Sequence, residues 1–187
     1  MFNKLWLKVD LDEKEKKKLI NYLDKLHNDK KIKAIIEELP LANYEYLIRL
    51  LGKVKDQEYL SDIAIKYDEF ELISQSVIEH IDEDKYLAKT ANDALNNGFE
   101  AFKKISDRSY YKDLVFSARS SKVRLSSLIA LDDQRLYEEV LLKASDPVLV
   151  EASLERIRDK ETIKKAIAKE GLPENYRRIY RGYLKNR

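Results

Sequence analysis

Five aspartates recur along the chain at an almost constant spacing, and carboxylates could serve as metal ligands or as acid–base groups. Asp56, Asp82, Asp107, Asp133 and Asp159 are separated by 26, 25, 26 and 26 residues. A catalytic pair needs two carboxyls in one pocket, whereas successive helical repeats would hold these groups roughly 10 Å apart, about one helix diameter. One aspartate per repeat is typical of an N-cap, which accepts a hydrogen bond from a free N–H of the next helix. The spacing therefore predicts five helix starts rather than a reactive centre.

Other reactive residue types are scarce. The chain contains no cysteine, two histidines (His27 and His80) and four glycines that lie far apart. It therefore has no disulfide or thiolate chemistry, too few strong ligands for a histidine metal site, and no glycine-rich phosphate loop. Neither histidine accompanies a nucleophile motif of the Ser-His-Asp kind. We predict no catalytic residue, no metal and no cofactor, and the pattern favours a protein that is not an enzyme.

The aspartates alternate with a repeated pattern of apolar pairs. Pairs spaced four residues apart identify the first helix of each unit, called A, and pairs spaced three apart identify the second, called B. The A pairs are Ile32/Ile36, Leu60/Ala64, Leu87/Ala91, Tyr111/Val115, Leu136/Val140 and Ile163/Ile167, and the B pairs are Leu23/Leu26, Leu51/Val54, Ile78/Ile81, Phe102/Ile105, Leu128/Leu131, Leu154/Ile157 and Tyr180/Tyr183. Such spacings place both members of a pair on one stripe, which must pack against a neighbouring helix.

The period of these pairs predicts the architecture. Successive B pairs are 28, 27, 24, 26, 26 and 26 residues apart. A repeat of this length in which both halves are helical is typical of stacked helix pairs. We therefore predict an all-α fold, a right-handed α-solenoid of about six short antiparallel helix pairs with a period of about 26 residues.

Composition and charge agree with a soluble repeat protein and identify no partner. The chain has 187 residues, of which 37% are charged, and 36 basic residues nearly balance 34 acidic ones. A net charge of +2 does not by itself imply a nucleic-acid or membrane partner. No apolar stretch approaches the roughly 20 residues of a membrane span, and the first residues lack the apolar region of a signal peptide. These features predict a cytoplasmic protein that does not bind membranes.

We expect one repeat domain over residues 1–187, with an N-terminal cap at 1–28, repeats at 29–171 and a C-terminal capping helix at 172–187. Asp12 and Glu15 predict a capping box at the start of the first helix. Phe2 and Trp6 belong to an apolar segment before it. Trp6, the only tryptophan, could bind a partner, but the open end of a repeat array needs covering, and this role is favoured.

Two stretches, KVRLSSLIALDD (122–133) and LVEASLERIRDKETIKKAIAKEG (149–171), resemble HEAT-like repeats of the bacterial and archaeal type. A unit of that family reads about V-R-x-x-A-L-x-x-I-x-D-x-x-x-L-x-x-I-A. Val123 and Arg124 match its start, whereas Ser127 and Ser153 replace its alanine. The likeness covers residues 20–187 as an array and is closest in the last three units. It implies an α-solenoid whose B helices line the concave side and which binds other macromolecules. Leucine-rich-variant repeats have a similar period and stay an alternative.

Three specialised HEAT-like groups offer more specific functions. Deoxyhypusine hydroxylases hold iron through paired His-Glu steps, and neither His27 nor His80 is followed by glutamate. Alkylation-repair DNA glycosylases hold a damaged nucleotide in an aromatic and acidic cleft, but Trp6 lies outside the repeats. Phycobilin lyase-type proteins, which would act as a lyase or chaperone for a cofactor-bearing protein, stay an open alternative.

The B helices are expected to carry the binding surface. The residues predicted to contact a partner are Arg49, Lys53, His80, Lys103, Lys104, Arg156, Arg178 and Arg181. Because acidic residues are interspersed, this face suits a protein or peptide better than a phosphate backbone. The leading hypothesis is thus a non-enzymatic scaffold that binds a protein or peptide along its B-helix face. The alternative is a nucleic-acid-binding protein related to the DNA glycosylases, which would use basic residues of the groove and the C-terminal helix.

Overall fold

The computed structural model describes residues 4–143 and 146–185, and within them the chain forms thirteen α-helices. The helices are Glu13–Asp24 (α1), Asp29–Glu38 (α2), Tyr44–Leu51 (α3), Gln57–Lys66 (α4), Glu71–Glu79 (α5), Asp84–Asp93 (α6), Gly98–Lys104 (α7), Tyr111–Ser117 (α8), Ser121–Leu131 (α9), Gln134–Lys143 (α10), Pro147–Arg156 (α11), Lys160–Ala168 (α12) and Glu174–Lys185 (α13). Short 3-10 helices cover Leu5–Leu7, Leu41–Asn43 and Arg108–Tyr110. These described residues contain no strand, so the predicted all-α class is confirmed.

The A and B helices alternate as the apolar pairs predict. Even-numbered helices carry the A pairs and odd-numbered helices carry the B pairs. Every residue of these pairs is buried except Leu131, Ile167 and Tyr183, which are half-buried. The second residue of most B pairs lies just beyond its helix, as Val54 does after α3. The backbone N–H of Val54 donates to the carbonyl of Leu51, so the chain turns there and the side chain of Val54 still packs in the core.

The chain folds as two compact units, Met1–Ser106 and Asp107–Arg187. In the first, α2 packs on α3, α4 on α5 and α6 on α7, while α4 contacts α6 and α5 contacts both α3 and α7. In the second, α8 packs on α9, α10 on α11 and α12 on α13, while α10 contacts α12 and α9 contacts α11. In each unit, helices that follow one another in the chain therefore pack as pairs, and some helices of the same kind also contact one another. The boundaries expected near residues 28 and 171 stay predictions.

Aspartates at the helix starts act as the spacing predicts, with one exception. Asp12 and Glu15 form the expected capping box of α1. Asp56 caps α4, Asp107 caps the 3-10 helix before α8, Asp159 caps α12, and Asp133 accepts a hydrogen bond from the N–H of Arg135 at the start of α10. Asp82 was expected to cap α6, and that prediction is wrong. The N-cap is Glu83, and the backbone N–H of Asp82 donates instead to the side chain of Gln57.

That bond belongs to a recurring connection between successive helix pairs. The first residue of an A helix accepts, through its side chain, a backbone N–H from the B-to-A loop of the next pair. The connections are Asp29 with Lys55, Gln57 with Asp82, Asp84 with Ser106, and Gln134 with Arg158. Because each bond links equivalent positions about one repeat apart, it sets the register in which one pair stacks on the next.

The Val-Arg step of the HEAT-like resemblance has a structural role. The guanidinium of Arg124 donates through Nε and Nη2 to Oδ2 of Asp146, at 2.9 and 2.7 Å, and through Nη1 to the carbonyl of Ala118 at 2.5 Å. Both charged side chains are largely buried. Asp146 also accepts the N–H of Val148 and so caps α11. Arg124 thereby ties the start of α9 to the start of the next B helix.

The segment before α1 packs onto the helices. Trp6 is buried, its ring stacks on Tyr22 of α1, and its indole N–H donates to the carboxylate of Glu38 on α2. The buried side chain of Asn43 donates to the carbonyls of Trp6 and Lys8. Trp6 therefore covers the first helices and does not present its ring to solvent. Phe2 lies outside the described residues.

Within those residues, no helix combines the length and the apolar character that crossing a bilayer requires.

Candidate functional site

The predicted basic residues of the first unit form a strip across the C-terminal ends of successive B helices. Arg49, in the last turn of α3, reaches α1 and donates from Nε and Nη2 to the two carboxylate oxygens of Asp24, at 2.6 and 2.7 Å. The hydrogen bond from Arg49 lowers the pKa of the Asp24 carboxyl below its ordinary value. The guanidinium that the sequence assigns to a partner is thus held in place by a bidentate ion pair on the surface of the unit.

Two lysines of this strip bind backbone carbonyls. Nζ of Lys53 donates to the carbonyls of Leu23, Asp24 and Leu26 at the end of α1. Nζ of Lys104 does the same at the end of α5, with distances of 2.8 Å to Ile78, 2.9 Å to Glu79 and 2.9 Å to Ile81. The last carbonyls of a helix lack partners within the helix and carry a partial negative charge, so an ammonium there is stabilising. Each lysine uses all three of its N–H donors in this way.

The two remaining basic residues of the strip lie nearby. His80 is exposed at the C-cap of α5, and its Nε2 lies close enough to Gly52, after α3, that a Cβ added there would be 3.1 Å away. Lys103 pairs with Glu100 on the same helix and lies over the ring of Phe99. The structure therefore brings Arg49, Lys53, His80, Lys103 and Lys104 together, but it engages most of their charge within the unit. Their role as partner contacts stays a prediction.

In the second unit the predicted residues lie on α11 and α13. Arg156 donates to the carbonyl of Ala152 and to Glu155 on its own helix. Arg178 and Arg181 lie on the outer side of α13, where Glu174, Asn175, Gly182 and Lys185 complete the lining of an open cavity of about 650 Å³. Arg181 contacts Glu174 at 3.3 Å. Tyr176 and Tyr180 are buried on the opposite stripe, so the arginines form a surface without the aromatic residues.

An apolar groove that the sequence did not predict lies at the N-terminal ends of α3 and α5. It has a volume of about 440 Å³ and is lined by Leu41, Tyr44, Phe70, Glu71, Leu72 and Ile73. Its side chains are unusually open to solvent for their types: Leu72 is 68% exposed, Phe70 44% and Leu41 39%. An exposed cluster of large apolar side chains, unlike a single one, is a candidate for an interaction surface.

Phe70 occupies the N-cap of α5, a position that favours Asp, Asn, Ser or Thr. Its side chain makes no capping hydrogen bond, and its ring instead contacts the edge of Tyr67 at a centroid distance of 6.2 Å. The signal for this groove was present in the sequence, because Phe70 and Leu72 are apolar residues that belong to neither an A nor a B pair. The N-cap of α5 therefore carries an exposed aromatic ring instead of a residue that can cap the helix.

An acidic rim adjoins the groove and consists of Asp68, Glu69, Glu71 and Glu100. These carboxylates line a second cavity, of about 360 Å³, together with Gln75, Asn96 and Asn97, and Glu71 belongs to both cavities. Asp68 accepts the backbone N–H groups of Leu95, Asn96 and Asn97. The described residues that line the two cavities include no lysine or arginine.

Titratable groups elsewhere serve the packing. Burial and a 2.7 Å hydrogen bond to Asp132 raise the pKa of the Tyr137 hydroxyl to about 12, and burial likewise raises the pKa of Tyr180. The Tyr180 hydroxyl donates to the carbonyl of Leu141. Throughout residues 4–143 and 146–185, no three His, Cys, Asp or Glu side chains converge in a way that could hold a metal ion.

Comparison with protein-family models, with curated proteins and with solved structures finds no match to this chain.

Proposed function

We propose that this chain is a non-enzymatic interaction module that binds a protein or peptide partner. Within this proposal the helix pairs continue as one right-handed α-solenoid of the HEAT-like kind, and the module acts in the cytoplasm. The observation that carries it is the exposed apolar groove around Phe70 and Leu72. A partner segment would place apolar side chains there, at the N-terminal ends of α3 and α5, rather than at the basic strip where the sequence suggested contact.

The energetics favour such a use. Full burial of a leucine side chain contributes about 1.5–3 kcal/mol, and most of this gain is still available at Leu72 because 68% of it is exposed. Phe70, Leu41 and Tyr44 add further apolar area around the same groove. Central apolar anchors with polar residues around them dominate the binding energy of protein interfaces, and here the acidic rim adjoins the anchors through Glu71.

The test uses peptides selected by display against the full chain and then measured by fluorescence anisotropy. Substitution Leu72→Gln should weaken their binding about tenfold, since about 1.4 kcal/mol of apolar burial is lost. Leu142→Gln is the matched control because Leu142 is also an exposed leucine on a helix, and it should bind as the natural chain does. Failure to select any peptide, or equal binding by both variants, would contradict the proposal.

A second candidate function, nucleic-acid binding, is favoured by the outer side of α13. Arg178, Arg181 and Lys185 line one open surface there, with Glu174 as its only acidic lining residue among those described. Binding to phosphates would fall with salt, and Arg178→Ala should reduce the slope of log affinity against log salt by about 0.9. Arg158→Ala, at another exposed arginine, is the control. A labelled RNA or DNA strand that shows no salt-dependent binding would exclude this function.

A further inference from the structure

We propose that the segment bound in the apolar groove is basic as well as apolar, with lysine or arginine side chains next to its apolar anchors. This inference rests on the proposed function and specifies the chemistry of the partner. Two features of the first unit support it: the exposed apolar side chains of the groove and the four carboxylates that line the cavity beside it.

The charge around the groove departs from that of the chain. The whole sequence contains 36 basic and 34 acidic residues. The described residues that line the groove and the cavity beside it include four carboxylates and no lysine or arginine. Glu100 is paired with Lys103, and Asp68 is surrounded by three backbone N–H groups. Glu69 and Glu71 are both exposed, and Glu71 lines both cavities. A cation beside an apolar anchor in the groove would therefore meet these two glutamates.

The same carboxylates argue against other occupants. They do not converge as metal ligands, since no group of three that could hold an ion occurs among the described residues. A phosphate backbone would be repelled, because like charges placed across an interface are destabilising. Acidic peptides would meet the same repulsion. A basic and apolar protein segment is the partner for which both the groove and its rim are complementary.

Phe70 supports a recognition role independently of charge. An aspartate at this N-cap would stabilise α5 relative to a residue that cannot cap, yet the position carries an aromatic side chain that is 44% exposed. Positions where a local rule is broken are often functional, and here the ring contacts the edge of Tyr67 but stays exposed. The ring lies at the junction of the groove with Glu69 and Glu71, where it could also stack on an arginine.

The experiment measures three fluorescein-labelled synthetic peptides of equal length against the full chain. All three carry the same leucine and phenylalanine anchors, and the positions between the anchors are lysine and arginine, glutamine, or glutamate. An exposed ion pair contributes a factor of about two to five, so two pairs should make the basic peptide bind roughly tenfold more tightly than the glutamine peptide. The glutamate peptide should bind most weakly, and added salt should reduce the difference.

The variant Glu69→Lys with Glu71→Lys should reverse this order and favour the glutamate peptide. Its matched control is Glu151→Lys with Glu170→Lys, which changes the net charge equally at two exposed glutamates of the second unit and should keep the natural order. Circular dichroism of both variants verifies that the helices are retained.

The outcomes separate this inference from the function on which it rests. If the glutamine peptide binds as tightly as the basic one, and Leu72→Gln weakens both, the groove binds partners but the charge inference is wrong. If the charge reversal leaves the order unchanged, the inference is likewise wrong. If none of the three peptides binds, both the inference and the proposed function are contradicted.

Discussion

Lys104 provides the sharpest test of how the helix pairs are held together. Its ammonium donates to three carbonyls at the end of α5, those of Ile78, Glu79 and Ile81. Substitution Lys104→Met retains most of the length and apolar character of the stem but removes the charge and all three donors. We expect the variant to fold and to be measurably less stable.

The magnitude follows from the surroundings of those bonds. A hydrogen bond that involves a charged group contributes about 1.5–3 kcal/mol when the group left behind cannot be hydrated, and much less when water replaces it. The Glu79 bond is exposed and the other two are part-buried, so water can take over part of the role. The loss of a cation at a helix C-terminus adds about 0.3–1 kcal/mol. Together these give an expected loss of about 1.5 kcal/mol in the free energy of unfolding.

Urea denaturation followed by circular dichroism measures this loss. With a slope of about 2 kcal/mol per molar urea, the midpoint should fall by roughly 0.7 M. Lys103→Met is the matched control. The neighbouring lysine makes an exposed ion pair with Glu100 and lies over the ring of Phe99, and its loss should change stability by less than about 0.5 kcal/mol. Equal midpoints for Lys104→Met and Lys103→Met would show that the three carbonyl bonds of Lys104 do not stabilise the fold.

Two further perturbations test the packing within the units. A Cβ added at Gly98 would lie 2.9 Å from the backbone oxygen of Ala91, so Gly98→Ala should lower the free energy of unfolding by about 1–3 kcal/mol. Gly182 in α13 has open space around it, so Gly182→Ala should raise the free energy of unfolding by about 0.5–1 kcal/mol. Urea denaturation measures both changes. Because the folded pKa of Tyr137 is raised above the ordinary 10 to about 12, its neutral hydroxyl stabilises the fold below pH 10, and this contribution is lost as the pH rises through about 12. The stability difference between the natural chain and Tyr137→Phe, which cannot bond Asp132, should therefore shrink over that range in thermal denaturation at stepped pH.

The sequence identified the helices and most of their starts, since these depend on residues close together in the chain. A pair such as Leu60 and Ala64 lies on one stripe by helix geometry alone, and both are fully buried. Asp56 and Asp159 cap helices through N–H groups two or three residues away. Asp82 failed as a cap because it directly follows the anchor Ile81, whereas Asp56 is the second residue after Val54, so Glu83 occupies the N-cap position instead.

The polar contacts of the candidate site could not be predicted in this way. Lys53 and Lys104 were predicted to lie on one B-helix face of mixed charge, but their periodic position does not reveal that carbonyls of the preceding B helix accept hydrogen bonds from them. Those carbonyls lie 23 to 30 residues earlier in the chain. The periodicity of apolar residues indicates which side of a helix packs against a neighbour. It does not indicate which polar groups of that neighbour lie at the contact.

What the sequence determined by itself is therefore the alternation of short helices and the burial of their paired apolar residues, because both follow from spacing along a single chain segment. What only the tertiary structure decided is the task of each polar side chain and the position of the apolar groove. Phe70 and Leu72 are exposed because no helix of the described part of the chain covers them, and the solvent exposure of a side chain depends on what packs against it from elsewhere in the chain.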